Sequence, residues 1–256
     1  MSLLALLSPS PAAPPDTPDP PTDILAPWRA KLGSASVSPA VLVTCGDSLT
    51  DMDATTLDSP GWSSTLARSL AGTAGVDAHF YDVHDDTWTP PWGNSPGLHV
   101  MNVAVSGTTS YSYLKDARTG VIAAARPDVV THMIGMNDSN FTTRTPAQVA
   151  EDILKRSGWI DAKAELLGHA APVHVVMVEP RDASPKPESP PDWWDRYSVE
   201  MANLVASESG RMVLADIDAA FGDDEGLRGG DDIHLTTAGY QRVADTMHEL
   251  LTGTTT

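Results

Sequence analysis

Four short segments hold residue types that together can run acyl transfer. The first is Cys45-Gly46-Asp47-Ser48-Leu49-Thr50-Asp51, which places a serine hydroxyl just after an apolar run and a permissive glycine. The second, Ser106-Gly107-Thr108-Thr109, offers a glycine whose backbone N–H no side chain shields. The third, Gly135-Met136-Asn137-Asp138, offers an amide with two hydrogens to donate. The fourth is Asp231-Asp232-Ile233-His234, where a carboxylate three residues before a histidine can accept from Nδ1–H and leave Nε2 free as a base. Taken singly, each has a plainer reading: Gly-Asp-Ser is an ordinary turn tripeptide, and the others suit turns or helix N-caps. Their joint occurrence, in this order, carries the chemical reading.

The sequence offers two competing readings. Gly93-Asn94-Ser95-Pro96-Gly97 fits the G-x-S-x-G nucleophile elbow, but that elbow needs a backbone N–H on the residue after the serine, and Pro96 has none. Ser95 is therefore expected in a loop. Carboxylates and imidazoles cluster at His79, Asp82, His84, Asp85 and Asp86 and again at Asp223, Asp224, Glu225, Asp231 and Asp232. Neither cluster has the spacing of an EF-hand, and an acidic chain produces such clusters by composition alone. No metal and no cofactor is expected.

The elements that must position these groups follow from the apolar pattern. Short β-branched runs at 41–44, 76–83, 99–105, 128–134, 173–178 and 212–217 predict strands. Their continuous rather than alternating apolarity predicts burial on both faces, as in a parallel sheet. Between them lie helical segments. Thr145-Pro146-Ala147-Gln148 opens one with a capping box and a proline at the first helical position. The last, in TTAGYQRVADTMHELL, sets Tyr240, Val243, Ala244, Met247 and Leu251 on one face. This alternation predicts a three-layer α/β/α sandwich around a central, mostly parallel sheet, with ligands at the carboxyl ends of the strands. All four segments fall at such ends or just before the final helix. Two proline-rich loops, 85–97 and 179–194, carry Trp88, Trp92, Trp193 and Trp194, either as anchors for their loops or as an apolar wall beside a pocket.

Length and charge set the outer limits. The 256 residues are 41% hydrophobic and 20% charged, a globular mixture with no run long enough to span a bilayer. The formal charge of −18 disfavours nucleic acid and anionic lipid as partners and makes neutral partners, such as uncharged esters or glycans, the easier ones. One cysteine, Cys45, excludes an intrachain disulfide. The apolar start MSLLALL is short and lacks a preceding cation, so no secretory signal is expected. Residues 9–21 contain seven prolines. Residues 1–36 are accordingly read as an extended arm, open to a protein partner, with the folded domain over 37–252 and a tail over 253–256.

With the four segments in place, the sequence resembles the SGNH or GDSL-type serine hydrolases over about residues 40–251. Ser48 in GDSLTD, Gly107 in NVAVSG, Asn137 in GMND and His234 in DDIH stand at the four marker positions, and Asp231 stands at the acid position. The resemblance implies a flavodoxin-like fold and a carboxylic ester hydrolase. It also implies a Ser48-His234-Asp231 triad and an oxyanion hole of Ser48 N–H, Gly107 N–H and the Asn137 amide. The rival is a structural or binding component of a larger assembly, such as a phage tail, on an idle hydrolase scaffold. The acyl and alcohol groups of the substrate are not legible.

Overall fold

The computed structural model describes residues 23–113, 116–182 and 190–254, apart from the side chains of 116 and 117. The polyproline stretch 9–21 and the middle of the 179–194 loop therefore lie outside the described residues. Helix α1 (Ala26–Gly33) leads into β1 (Pro39–Gly46), followed by the short α2 (Ser48–Asp51) and α3 (Trp62–Ala74). Then come β2 (Ala78–Asp82), β3 (Gly97–Asn102), α4 (Asp116–Ala124), β4 (Val129–Met133), α5 (Met136–Phe141) and α6 (Pro146–Leu166). The chain continues through β5 (Val173–Val178), α7 (Trp193–Ser207), β6 (Met212–Asp216), α8 (Ile217–Phe221), a 3₁₀ turn (Glu225–Leu227) and α9 (Thr237–Thr252).

The six strands form one sheet in the order β2-β3-β1-β4-β5-β6, and every neighbouring pair is parallel. Alternate β1 residues serve opposite faces. Ala40 and Leu42 pack with Trp28, Trp62, Leu66 and Leu70. Val41, Val43 and Cys45 pack with Val121, Ile122 and Ile160. Helices thus cover the sheet on both sides, which explains why the strand sequences are apolar throughout rather than alternating. The outermost strands depart from this. β2 and β6 are only partly buried, because a sheet edge has a neighbour on one side only.

From β1 the chain crosses to β2 on one side of the sheet, and after β3 it crosses over β1 to β4 and continues outward to β6. Such a reversal leaves a crevice at the carboxyl ends of the strands on either side of it, here β1, β3 and β4. Helix α6 begins as its sequence predicts: the Thr145 hydroxyl accepts from Gln148 N–H, and the Gln148 side chain accepts from Thr145 N–H. That reciprocal cap fixes where the helix starts.

One boundary needs correction. The stretch 1–36 is not an arm along its whole length, because Leu25, Trp28, Leu32 and Ala35 are buried in the core. Arg29 reaches from α1 to the carbonyls of Leu250 and Leu251 at the end of α9. Proline 27 sits in the first turn of α1, where a missing N–H costs nothing.

Candidate active site

The site is built at the carboxyl edge of β1, β3 and β4. β1 ends on Gly46, and a Cβ there would lie 2.4 Å from the Met133 carbonyl oxygen and 2.5 Å from Thr50 Oγ1. Only glycine lets the chain pass this close to β4 before it turns. Asp47 then caps α2, its carboxylate accepting from Leu49 N–H at 3.0 Å, and Ser48 becomes the first residue of that helix.

Gly107 follows β3 with φ +76, a left-handed conformation. Its loop is held from both sides. Asp51 accepts from Ser106 N–H at 2.8 Å and from the Ser106 hydroxyl at 2.6 Å. Beyond it, Ser110 donates its N–H and hydroxyl to Asp138 at 2.7 and 2.8 Å, and Arg144 bonds both Ser110 and Asp152. Asn102, buried at the end of β3, donates to the carbonyls of Thr50 and Ala54 and accepts from Ala104 N–H, locking α2 to the β3 end.

Asn137 lies in the first turn of α5. Its amide donates to Asp47 Oδ2 at 3.1 Å and to the Thr108 carbonyl at 3.0 Å, so both hydrogens are engaged. The preceding Met136 N–H donates to Glu179 Oε2 at 2.6 Å. Glu179 is fully buried at the end of β5, and its other oxygen has no partner. Burial pushes its carboxyl well above the usual range, with the nearby Asp47 charge adding to the shift. Burial likewise raises Asp47 to about 7, against the hydrogen bond it accepts from Leu49 N–H. One buried wall thus holds two carboxyls that resist ionisation.

The opposite wall is a turn. Residues 229–234 are closed by a bridge between Arg228 and Leu235 and by Gly229 N–H donating to the His234 carbonyl at 2.6 Å. Asp232 takes φ +63 within it. Asp231 Oδ1 accepts from His234 N–H at 2.9 Å, while Asp231 Oδ2 lies 2.5 Å from His234 Nδ1. His234 Nε2 lies 3.1 Å from Ser48 Oγ. The hydrogen bond from His234 pulls the Asp231 carboxyl below its usual range. In such a line an imidazole can take the serine proton while the carboxylate fixes its tautomer. Ser48, Gly107, Asn137, Asp231 and His234 thus come from four distant segments to one crevice.

The other sequence candidates separate. Ser95 is exposed in a loop, its carbonyl 3.1 Å from His99 Nε2. Trp92, Trp193 and Trp194 are buried. Trp88 and Trp92 pack with Tyr81 and anchor their loop, whereas Trp193 and Trp194 are the first residues of α7 and pack with Tyr197 of the same helix. Of the acidic clusters, Asp82 and His84 come together with Asp51, the one group among the described residues spaced to hold a cation. His84 Nε2 lies 3.0 Å from Asp82 Oδ1 and 3.7 Å from Asp51. Asp51, Asn102, Asp138 and Glu179 were not singled out from the sequence. Asp51 and Asp138 lie inside the GDSLTD and GMND motifs, a signal that could have pointed to them.

A parallel sheet sandwiched by helices thus brings a serine, an imidazole and a carboxylate into line at its carboxyl edge. The chain belongs to the GDSL-like Lipase/Acylhydrolase family, whose model matches residues 44–242. It is 24% identical over 161 residues to the rat platelet-activating factor acetylhydrolase IB subunit alpha2, a match covering 60% of this chain and 65% of that protein. Its fold is similar to a lipase/acylhydrolase from Enterococcus faecalis, at 18% identity, TM-score 0.62, and 84% and 96% of the two chains. It is also similar to a peptidoglycan O-acetylesterase, at 13% identity, TM-score 0.64, and 91% and 98% of the two chains. Among the described residues no helix is long and apolar enough to cross a membrane.

Proposed function

We propose that this protein hydrolyses acyl esters of an uncharged lipid or glycan by a serine mechanism, with Ser48 as nucleophile, His234 as general base and acid, and Asp231 as the group that orients the imidazole. The observation that carries this reading is the unbroken line Ser48 Oγ, His234 Nε2 at 3.1 Å, His234 Nδ1, Asp231 Oδ2 at 2.5 Å. Ser48 attacks the acyl carbonyl as its proton passes to Nε2. The tetrahedral oxyanion is received by the Ser48 and Gly107 N–H groups and the Asn137 amide. Collapse expels the alcohol with the proton from His234, and water then releases the acid with His234 again as base.

Among the described residues neither the Ser48 nor the Gly107 N–H donates to an internal acceptor, which leaves both for an oxyanion. Asn137 must exchange one of its two bonds. The Thr108 carbonyl is the one to give up, because the Asp47 bond anchors the amide from the buried side. Similarity to an acetylhydrolase and an O-acetylesterase supports a short acyl group. The complete line of hydrogen bonds speaks against an idle scaffold.

The test is turnover of chromogenic esters of increasing chain length and of acetylated sugars by the wild type and by Ser48→Ala. A loss of order ~10⁶ in kcat is expected from removing the nucleophile. Turnover by the variant at the wild-type rate overturns the reading.

A further inference from the structure

Behind the Gly107 loop, on the sheet face that α6 covers, four side chains form a line that the ester chemistry does not use. The Tyr113 hydroxyl lies 3.1 Å from His132 Nδ1, His132 Nε2 lies 2.9 Å from His174 Nδ1, and His174 Nε2 lies 2.9 Å from Asp161 Oδ1. His132 of β4 and His174 of β5 have no exposed surface, and Tyr113 is buried beside them. The rest of this face is apolar, with Val41, Val43, Val130 and Ile160. Asp161 of α6 is the member that reaches solvent, its other oxygen accepting from Arg211 Nη1 at 2.7 Å.

The direction of this line is fixed from its outer end. A carboxylate only accepts, so His174 carries its proton on Nε2 and leaves Nδ1 as an acceptor. His132 then donates from Nε2, and its Nδ1 is left to accept from the Tyr113 hydroxyl. Both rings are neutral, with both nitrogens of each in use. The charged and titratable groups around the pair are Asp161 and Arg156 from α6, Arg211 with its partner Glu208 from the turn between α7 and β6, and Cys45 of β1 beside Tyr113. Burial, with the Arg156 and Arg211 charges adding to it, holds His132 well below the usual imidazole range. Burial also lowers His174, against the pull of Asp161, and it pushes the Cys45 thiol and the Tyr113 hydroxyl up, so that both stay uncharged.

Tyr113 is also the far end of the Gly107 loop. Its N–H donates to the Thr109 carbonyl at 2.9 Å, and Thr109 N–H donates to Ser112 Oγ at 2.9 Å, which closes residues 109–113 into one turn two residues from Gly107. Arg156 grips the same residue, donating to its carbonyl with the guanidinium carbon 3.8 Å from the ring centre. We infer that Tyr113, His132 and His174 are positioning residues for the Gly107 loop and that their line is a proton-operated latch, closed while both rings are neutral and released by proton uptake on His132. That the loop serves an oxyanion rests on the serine-esterase reading; its tie to the sheet does not. With the loop lifted, His132 meets water and titrates near an ordinary ~6.5, whereas in the closed state it stays neutral to lower pH. The open state therefore gains a proton that the closed state refuses, and closure weakens as pH falls below about 6.5.

The test is hydrogen exchange of the full chain, read by mass spectrometry at pH 7.5 and 5.5 after correction for the intrinsic exchange rate, with helix α3 as internal reference. Between the two pH values the wild type should lose about tenfold of its protection over residues 103–113, the factor that one proton titrating at ~6.5 supplies, while α3 stays level. His132→Asn cannot take up the proton and should be equally protected at both. Tyr113→Phe should be roughly threefold or more less protected over the loop at pH 7.5. On the esterase reading it should also lower kcat about tenfold with KM little changed, because the loop is displaced and no substrate contact is lost. A wild type without esterase activity would sink that reading, and the exchange data would still decide the latch. Should His132→Asn fail to fold, proton–nitrogen correlation spectra of the wild type take its place: coupling across the N–H···N bond identifies the pair, and both rings must carry their proton on Nε2. Loop protection that ignores pH in the wild type, the same tenfold loss in His132→Asn, an Nδ1–H ring in the pair, or wild-type protection in Tyr113→Phe overturns the proposal.

Discussion

The two walls of the crevice are built on opposite principles. On one side Asp47, Asn137, Asp138 and Glu179 are buried at the ends of three strands and bonded across long sequence separations. On the other, Asp231 is 53% and His234 30% exposed, and their bond spans three residues of one turn. The contrast teaches where each function gets its precision. In the proposed mechanism Ser48 and the oxyanion donors keep sub-ångström positions against a transition state, and a desolvated network provides that rigidity. The proposed base, His234, has only to rotate and exchange protons, and for that a short closed turn with a carboxylate on its Nδ1 suffices.

Breaking the exposed wall should cost the most activity while leaving stability nearly intact. His234→Ala should lower kcat by about 10⁶, and Asp231→Asn by about 10⁴, because the wrong tautomer is then held in the right place. Both should melt within about 2 °C of the wild type, since exposed polar side chains contribute little to stability. Steady-state kinetics beside thermal melts checks this, and a large loss of Tm in either variant would show that the turn belongs to the buried network.

On the buried wall, Asn137→Ala should lower kcat by roughly 10² to 10³ with KM little changed, because the amide acts on the transition state. A change confined to KM would make Asn137 a ground-state binding group. The smallest effect is expected from Glu179→Gln, which keeps an acceptor for Met136 N–H and removes an acid that burial holds protonated. An unfolded glutamate ionises near ~4.3, while the folded one keeps its proton to higher pH. The unfolded chain therefore releases this proton first, and stability falls as pH rises above about 4 until the folded group ionises. Glutamine removes that dependence. The variant's Tm relative to wild type should thus be higher at pH 8 than at pH 5, by a few degrees at about 2–4 °C per kcal/mol. An equal difference at both pH values would show that Glu179 carries no such penalty.

How much was legible depends on the range of the interaction. The strands were readable because burial on both faces leaves an apolar run, and the run at 173–178 coincides with β5. That Ser48, Gly107, Asn137 and His234 would meet at one sheet edge was legible because each follows a strand or precedes the last helix. Glu179 and Asn102 were not, since their partners lie 43 and up to 58 residues away and no local pattern announces such a pairing. Helix α1 is masked in the sequence by the prolines that precede it, although Leu25, Trp28 and Leu32 recur at helical spacing. That Asn137 donates both its hydrogens inward could come only from coordinates.

The most direct test is to react the protein with a fluorophosphonate probe and locate the adduct by mass spectrometry. The account predicts one phosphonylated residue, Ser48, with labelling lost in His234→Ala because the hydroxyl then lacks its base. An adduct at another serine, or full esterase turnover after treatment with Ser48 unmodified, would contradict it.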